Sequence, residues 1–209
     1  MILYDAAHAP SPRRVRMVLA EKSLQIERRT VDLRTGEHLA EAFRRINPLG
    51  TVPVLVVDDL VLTESSAICR YLDAIAPEPP LFGRTPAEIA VIEQCCRRIE
   101  EHGYRPAVDA LRNRAPAFTD RALPGMSDAV PQIPALVDRA AIVFESFTRE
   151  LDRRLRDTRW IAGSFFSFAD IAALVAIDFA ERARLTVSDG LANLAEWRAA
   201  MNGRSSASA

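Results

Sequence analysis

Apolar residues in the first part of the chain alternate between the spacing of strands and the spacing of helices. Ile2-Leu3-Tyr4 is a short apolar run that favours a buried strand, and residues 15–19 then place valine and leucine at the i, i+3, i+4 positions of a helical face. A second strand is predicted over 26–31. A helix follows over 37–46 and ends at Asn47-Pro48, because the residue before a proline avoids helical backbone.

A hairpin and a third helix complete this part of the chain. The β-branched and leucine runs 54–57 and 60–62 are separated by Asp58-Asp59, a turn pair. Apolar residues then recur at i, i+3, i+4 and i+7 over 68–75, which indicates one buried helical face. The resulting order, βαβαββα with helices covering a four-stranded mixed sheet, is the thioredoxin-like arrangement and predicts an α/β class for the N-terminal domain.

Beyond the proline-rich stretch Ala76-Pro77-Glu78-Pro79-Pro80 the pattern becomes purely helical. Thr85-Pro86-Ala87-Glu88 combines a helix N-cap, a proline at the first helical position and a glutamate at the third, and predicts a helix that runs to about Asn113. Three further helices are predicted, over 136–155, after a Ser167–Asp170 capping box and over 191–201. The second part is therefore expected to be an all-helical C-terminal domain.

Two stretches of the helical part have no regular pattern. Residues 115–134 contain four prolines and one glycine among small and polar residues, and such a long loop is expected to be either a lid over a site or a plain connection between helices. Residues 204–209 are small and polar and are expected to form a disordered tail. The expected organisation is a thioredoxin-like domain over 1–76, a linker over 77–84 and an all-helical domain over 85–203.

The charge balance narrows the classes of function. The chain has 27 Lys and Arg against 28 Asp and Glu, a net charge of −1, so no nucleic-acid partner is expected unless a local basic patch provides one. Arg13, Arg14 and Arg16 form the tightest basic group near the N-terminus, either as a solvated helix face or as a phosphate site. The sequence shows neither a signal peptide nor an apolar run of membrane length, which predicts a cytoplasmic protein without a membrane partner.

Cysteine usage argues against metal and redox chemistry. Cys69, Cys95 and Cys96 are odd in number, sparse, and not at the spacing of metal ligands. We expect all three to be small buried apolar residues, and no metal to be bound.

Several motifs, taken in order, resemble those of the glutathione S-transferases over nearly the whole chain. Each motif is weak by itself, and the set is specific. They are Leu3-Tyr4 with Val15-Arg16-Met17-Val18-Leu19-Ala20-Glu21-Lys22, then Gly36-Glu37-His38-Leu39, Asn47-Pro48-Leu49-Gly50-Thr51-Val52-Pro53-Val54-Leu55, Thr63-Glu64-Ser65-Ser66-Ala67-Ile68 and Phe166-Ser167-Phe168-Ala169-Asp170. The resemblance implies glutathione, a tripeptide thiol, as co-substrate.

The residues of the glutathione-binding half can be interpreted with and without the resemblance. Val52-Pro53 precedes a predicted strand, and a proline there is either a turn proline or, if cis, a device that leaves the Val52 N–H and C=O unpaired. The resemblance implies that this backbone pairs with the cysteinyl unit of glutathione. Glu64-Ser65 opens the third helix, where the free N–H groups favour an anion.

The ends of glutathione are assigned by the same resemblance. It implies that the Ser65 hydroxyl and N–H donate to the γ-glutamyl carboxylate and that Glu64 binds the α-ammonium, whereas Ser65 taken alone would be a helix N-cap. His38 would by itself be a surface histidine. The resemblance implies a contact between His38 and the glycyl end.

The thiol-activating residue departs from the family pattern. The glutathione thiol has a pKa of about 8.5 and needs a hydrogen-bond donor to become a thiolate at neutral pH. The activating serine of the resembling classes falls on Ala9, which has no donor. Ser11 is the first candidate, and its alternative role is the N-cap of the first helix with Pro12 at the first helical position. The Ser11 N–H, the Arg13 guanidinium and His8 are further candidates.

Two functions from different classes follow. The first is a glutathione transferase that conjugates the thiolate to a small, apolar electrophile bound between the domains, with walls at 8–11, 104–111 and 115–134. The second is a glutathione-binding protein of the same fold that acts as a scaffold or regulator, which Ala9 supports. A disulfide reductase is disfavoured because no cysteine lies near positions 9–11. The resemblance also implies a homodimer.

Overall fold

Four short strands form one mixed sheet in the order β2-β1-β3-β4. In the computed structural model, which describes residues 1–126 and 128–209, β1 (Ile2–Asp5) pairs in parallel with β2 (Glu27–Thr30) and antiparallel with β3 (Val54–Val57). Strand β3 then pairs with β4 (Leu60–Leu62) across a tight turn, in which Asp58 takes a positive φ of 50° that aspartate tolerates. The predicted hairpin and the predicted α/β class are confirmed.

Three helices belong to this sheet. Helices α1 (Pro10–Glu21) and α3 (Ser65–Ile75) pack against each other and place Val15, Val18 and Ile68 in the main core. The predicted 37–46 helix is wrong in extent, because the chain there forms a 3₁₀ turn (Glu37–Leu39) and a one-turn helix α2 (Glu41–Arg44) separated by the extended backbone of Ala40. A single helical turn is enough to bury Phe43, which is the one buried residue of α2.

The second part of the chain is all-helical, as predicted. Its helices are α4 (Pro86–Ile99), α5 (Arg105–Arg114), α6 (Ala135–Leu155), α7 (Phe168–Arg182) and α8 (Ala192–Asn202). The helix expected to reach Asn113 is interrupted by a π-helical segment at Glu100–Tyr104. Pro106 follows directly, and since its ring lacks an N–H and would clash with the carbonyl of His102 in a regular α-helix, the wider turn fits here.

Helix α7 is the centre of the core and is fixed at its start by Asp170. The predicted capping box at Ser167 and Asp170 is present, and the Asp170 carboxylate also accepts hydrogen bonds from the Ile161 N–H and the Trp197 ring N–H, each at 2.9 Å. Asp170 is fully buried, and burial raises the pKa of its carboxyl despite these hydrogen bonds. The residue therefore joins α7, α8 and the loop that precedes α7.

The predicted disorder of residues 204–209 is not what the structure shows. Ser205–Ser208 form a 3₁₀ turn, Ser206 is fully buried, and the Arg204 guanidinium makes two hydrogen bonds, of 2.7 and 2.8 Å, to the Glu21 carboxylate of α1. Burial by itself would raise the pKa of Glu21, but the bonds from Arg204 and Ser206 outweigh it and lower the pKa. The small, polar composition predicted disorder because local composition cannot indicate a partner as distant in the sequence as Glu21.

The 115–134 connection is fixed rather than open, although Ser127 within it lies outside the described residues. The Arg112 guanidinium donates to the carbonyl oxygens of Arg121 (2.6 Å) and Ala122 (3.1 Å), and the Gln132 amide donates to the carbonyl of Arg112 (2.7 Å). At Gly125 the connection reaches the N-terminal part, since a Cβ there would lie 3.7 Å from the Leu49 carbonyl oxygen. The connection thus joins two helices and also contacts the sheet domain.

No helix in residues 1–126 or 128–209 is long and apolar enough to cross a membrane.

Candidate functional site

A fixed turn presents the backbone of Val52 at the entrance to β3. The Asn47 side chain, which is 1% exposed, donates to the Thr51 carbonyl at 2.8 Å and accepts from the Leu49 N–H at 3.1 Å. The Val52-Pro53 peptide is cis. Within the described residues neither the N–H nor the C=O of Val52 has a hydrogen-bond partner. An extended peptide could therefore pair with this residue as an added strand.

The start of α3 lies at the end of the neighbouring hairpin and provides free backbone donors. Glu64 is the helix N-cap and Ser65 the first helical residue, so the alternative role of Ser65 as the N-cap is wrong. The first N–H groups of a helix have no acceptor within it and, with the helix dipole, favour an anion. Ser65 is 6% exposed, so a carboxylate bound here would be shielded from water. Glu64 is exposed and near enough in sequence to bind a cation beside it.

A buried arginine connects this anion site to the helical part. Arg14, 4% exposed, donates from Nη1 to Ser65 Oγ at 3.5 Å and pairs with the Glu100 carboxylate at 3.0 Å. Its guanidinium also stacks on the Tyr104 ring at 4.2 Å. The interpretation of Arg13, Arg14 and Arg16 as a solvated face is wrong, because α1 packs against α3, α7 and the C-terminal turn and buries its basic residues in ion pairs.

Ser11 does not cap α1. The cap is Ala9, because Pro10 takes the first helical position, which suits its fixed φ. Pro10 and Pro12 have no N–H. Among the first three helical positions, Ser11 is therefore the residue that offers a backbone N–H. The Ser11 hydroxyl instead lies 2.6 Å from the Tyr104 hydroxyl. Burial raises the pKa of Tyr104, and the nearby Arg14 opposes this only in part, so Tyr104 stays protonated at neutral pH.

The other two donors considered from the sequence have different surroundings. The Arg13 guanidinium is bonded to Asp178 of α7 at 2.6 Å and to the Ala207 carbonyl at 2.8 Å. His8 is exposed and its carbonyl accepts from Arg182. All three residues therefore contact the helical part, but the Arg13 guanidinium is committed to Asp178 and Ala207, whereas Ser11 pairs its hydroxyl with that of Tyr104.

His38 lies beside the connection between α5 and α6. Burial lowers the pKa of His38, and the charges of Arg121, Arg112 and Arg44 lower it further. Its Nδ1 is shielded from water and has no hydrogen-bond partner among the described residues. Sequence reasoning missed that His38 would be influenced by Arg112 of α5 and Arg121 of the α5–α6 connection, which are more than 70 positions away.

The prediction that all three cysteines are buried is confirmed for Cys69 and Cys95 and is wrong for Cys96. Cys69 and Cys95 are buried and Cys96 is half-buried. Burial raises the pKa of all three thiols, that of Cys96 to about 12. The described residues contain no group of three or more His, Cys, Asp or Glu side chains arranged to hold a metal ion.

The predicted walls of the electrophile site are only partly brought together. Ser11 meets Tyr104, and the 115–134 connection reaches Leu49 and Thr51. An open cavity of about 400 Å³ at the β1–α1 loop is lined by His8 and Ala9 of the predicted wall 8–11 and by ionic residues such as Arg13 and Asp178. Within the described residues its lining includes neither Ser11 nor Tyr104.

Comparison with known protein families gives a consistent result. Residues 9–75 match the family described as "Glutathione S-transferase, N-terminal domain", and residues 135–205 match "Glutathione S-transferase, C-terminal domain". The chain is similar to glutathione S-transferase 2 of Saccharomyces cerevisiae, with 32% identity over 99% of this chain and 87% of the relative. It is also similar to glutathione S-transferase theta-1 of Bos taurus, with 31% identity over 90% of this chain and 76% of the relative.

Solved structures agree with the sequence comparisons. A glutathione S-transferase domain-containing protein of Marinobacter aquaeolei superimposes with a TM-score of 0.87 at 34% identity, covering 99% of this chain and 100% of that one. Gtt2 from Saccharomyces cerevisiae superimposes with a TM-score of 0.89 at 31% identity, covering 99% of this chain and 98% of that one.

Proposed function

Because this chain belongs to the glutathione S-transferase family, we propose that it is an enzyme that joins the glutathione thiolate to a small, apolar electrophile. The proposal rests on two neighbouring parts of the backbone, each of which has groups without a hydrogen-bond partner. Val52 offers an unpaired N–H and C=O beside its cis peptide, and Ser65 offers a shielded helix start. Together they fit the peptide backbone and the γ-glutamyl carboxylate of one tripeptide.

In the proposed complex each end of glutathione has a partner of matching chemistry. The Val52 N–H donates to the cysteinyl carbonyl, and the Val52 C=O accepts from the cysteinyl N–H. Pro53 holds this backbone in place. The Ser65 hydroxyl and N–H donate to the γ-glutamyl carboxylate, and Glu64 accepts from the α-ammonium. These contacts leave the thiol free to extend toward the start of α1.

We assign thiol activation to Ser11. In the proposed complex the Tyr104 hydroxyl donates the hydrogen bond to Ser11 Oγ, which leaves the Ser11 hydroxyl free to donate its own hydrogen bond to sulfur. The Ser11 N–H lies at the positive end of α1. The thiol proton passes to solvent, the thiolate attacks the electrophilic carbon, a C–S bond forms, and the leaving group departs with its electron pair. Donation to S⁻ should lower the thiol pKa from about 8.5 to below about 7.5.

The test is an ultraviolet titration of the glutathione thiolate in the presence of the protein and of Ser11→Ala. We expect the bound thiol of the wild type to ionise at lower pH than free glutathione, and Ser11→Ala to reverse much of that shift. If the bound thiol ionises no more readily than the free thiol, the protein is not a transferase. If the wild type shows the shift and Ser11→Ala keeps it, another donor activates the thiol.

Ala9 favours a second function, a glutathione-binding scaffold or regulator without turnover. Ala9, the N-cap of α1, has no hydroxyl, whereas the residues proposed to bind the tripeptide are all present. The same titration separates the two functions, since a scaffold would bind glutathione without shifting its thiol pKa.

We also propose a homodimer. Large apolar side chains are exposed on β4 (Leu60, Val61) and on α4 (Ile89, Val91), each between 37% and 44%. These elements come from the two parts of the chain, so a two-fold axis could pair the sheet part of one subunit with the helical part of the other. Sedimentation of the wild type against Val61→Lys tests it, with a shift to monomer expected for the variant.

A further inference from the structure

Arg14 of α1 is a buried cation whose charge is only partly balanced. Its side chain is 4% exposed, and its Nη1 lies 3.0 Å from the Glu100 carboxylate and 3.5 Å from Ser65 Oγ. The Nε and Nη2 atoms are shielded from solvent and have no hydrogen-bond partner among the residues that the structure describes. An arginine keeps its positive charge and all five N–H donors in a protein. Much of the positive field of Arg14 therefore acts inside the protein.

The neighbouring arginines of α1 are balanced more completely. Arg13 and Arg16 each donate a hydrogen bond to a carboxylate, at 2.6 and 2.7 Å, which is the length of a charge-assisted bond. The contact between Arg14 and Glu100 is longer, and the Glu100 side chain is 45% exposed, so water weakens its effect on the buried guanidinium. Of these three arginines, Arg14 is the one whose charge remains available to act on another group.

That group is the Tyr104 ring. The Arg14 guanidinium lies over the ring, 4.2 Å from its centre. Glu100 and Tyr104 are the two ends of the π-helical segment, so both ends of that segment contact the same guanidinium. A cation over an aromatic face attracts the electrons of the ring, which makes a phenol hydroxyl a stronger hydrogen-bond donor. Burial is the main cause of the raised pKa of Tyr104, while Arg14 lowers this pKa and Glu100 raises it.

The other polar groups that act on Tyr104 leave this balance in place. The Ser11 hydroxyl lies 2.6 Å from the Tyr104 hydroxyl and is its hydrogen-bond partner. Arg182 of α7 also lowers the pKa of Tyr104, but its effect is smaller than that of either Arg14 or Glu100. The Arg182 side chain is exposed and donates to a backbone carbonyl of the β1–α1 loop. Arg14 and Glu100 are therefore the two main charges acting on this tyrosine.

We propose that Arg14 and Glu100 form an opposed charge pair that sets the hydrogen-bond donor strength of the Tyr104 hydroxyl. Tyr104 transmits this effect through Ser11 to the glutathione thiol, so the pair tunes the pH at which the bound thiol ionises. Arg14 favours the thiolate, and Glu100 opposes it. This inference rests on the proposed function and adds two positioning residues, one from each part of the chain, that act through Tyr104 and Ser11.

The first experiment removes the opposing charge. Glu100→Gln keeps the size of a half-buried side chain, so the fold should be retained, and Glu101→Gln, at the exposed neighbouring position, is the matched control. The thiolate of bound glutathione is titrated by its ultraviolet absorbance in the wild type and in both variants. We expect Glu100→Gln to ionise the bound thiol at lower pH than the wild type and to raise kcat at pH 6 about three-fold. Glu101→Gln should match the wild type. A purely structural ion pair would give no such gain.

The second experiment removes the cation. Arg14→Met should move ionisation of the bound thiol to higher pH and lower kcat at pH 6 about five-fold. Arg14→Lys keeps the charge without the planar guanidinium and should recover part of this loss. The pH profile of kcat, with glutathione saturating, separates thiol ionisation from any change in glutathione affinity that arises through Ser65. Circular dichroism shows whether each variant is folded, and if Arg14→Met is not, Glu100→Gln decides alone.

A third variant tests the route through the tyrosine. In the Tyr104→Phe background there is no phenol hydroxyl to tune, so adding Glu100→Gln should change neither the thiolate titration nor the pH profile. If Glu100→Gln has its full effect in that background, the charge acts on the thiol directly and the assigned route is wrong.

The outcomes separate this inference from the proposed function. If the wild type ionises the bound thiol more readily than free glutathione, but Glu100→Gln does so at the same or a higher pH than Glu101→Gln, the charge pair is overturned and the transferase stands. Equal losses in Arg14→Met and Arg14→Lys also overturn it. If the wild type ionises the bound thiol no more readily than free glutathione, the proposed function and this inference fail together.

Discussion

The hydroxyl oxygens of Ser11 and Tyr104 lie 2.6 Å apart and join the first turn of α1 to the π-helical segment before α5. The two residues are 93 positions apart in the sequence. Arg14 stacks on the same tyrosine ring and reaches Ser65. The proposed thiol-activating and carboxylate-binding ends of the site are therefore linked through one tyrosine and one arginine.

Removing the Tyr104 hydroxyl should impair activation of the thiol more than binding of glutathione. In Tyr104→Phe the Ser11 hydroxyl loses its donor and is free to rotate away from sulfur. We expect kcat/KM at neutral pH to fall about ten-fold, as for loss of one charge-assisted hydrogen bond, with little change in KM for glutathione. Steady-state kinetics with a reporter electrophile measures both.

The control for this prediction is Tyr71→Phe, because the Tyr71 hydroxyl makes no hydrogen bond within the described residues. Ser11→Ala should have an effect similar to Tyr104→Phe, and the double variant should be no worse than either, because the two groups act as one unit. Additive losses in the double variant would show that they act independently.

Ser65→Ala should weaken glutathione binding. It removes a hydroxyl at a shielded helix start where a carboxylate is expected, and we predict a rise in the dissociation constant of about ten-fold. Ser66→Ala, at the exposed neighbouring position, is the matched control and should leave affinity unchanged. Calorimetry with glutathione decides between them, and equal effects of the two variants would contradict the assignment of Ser65.

The pH dependence of stability should show the effect of burial and of the neighbouring arginines on His38. Because the pKa of His38 is lowered in the folded protein, the unfolded chain binds more protons than the folded one as pH falls below the ordinary value of about 6.5. The contribution of His38 is thus fully favourable above that pH and is lost as pH falls toward the folded pKa. Burial of His38 is the main cause of the lowered pKa, and the charges of Arg121, Arg112 and Arg44 add to it.

Urea unfolding of the wild type and His38→Gln between pH 5 and 8 measures this effect. The free energy of unfolding of the wild type should fall relative to the variant on the acidic side. A constant difference across this range would mean that His38 titrates alike in both states.

Asp170→Ala should be strongly destabilising. The change leaves the Ile161 N–H, the Ser167 N–H and the Trp197 ring N–H without their acceptor in the core, and we expect a loss of at least about 3 kcal/mol of unfolding free energy. Asp138→Ala, an exposed first-turn residue of α6, should change it by less than about 0.5 kcal/mol. Denaturant titrations of both variants provide the comparison.

The sequence predicted those parts of the fold that depend on local signals. The Asp58-Asp59 turn, the Thr85–Glu88 capping box and the apolar spacing of α6 each specify their own element, and the structure contains all three. The interruption at Glu100–Tyr104 was missed although Pro106 stood in the sequence, because the helical spacing around it continues. The length of α2 was overestimated because Phe43 is the one residue that α2 needs to bury.

Long-range pairs account for most of what the sequence could not predict. The partner of Ser11 is Tyr104, the partner of Glu21 is Arg204, and two of the charges that act on His38 come from Arg112 of α5 and Arg121 of the α5–α6 connection. None of these contacts leaves a periodic trace, since each joins residues more than 70 positions apart. The cis Val52-Pro53 peptide and the helix start at Glu64-Ser65 were accessible from the sequence because they depend on local backbone geometry, whereas the glutathione contacts proposed for them come from the family resemblance.

The bond between Glu21 and the C-terminal turn has a consequence for the order in which the protein is completed. Helix α1 leaves the ribosome before the C-terminal turn, since Arg204 and Ser206 are 183 and 185 positions further along the chain than Glu21. Until they emerge, the Glu21 carboxylate must remain with water. Helix α1 is therefore synthesised well before the residues that complete its contacts.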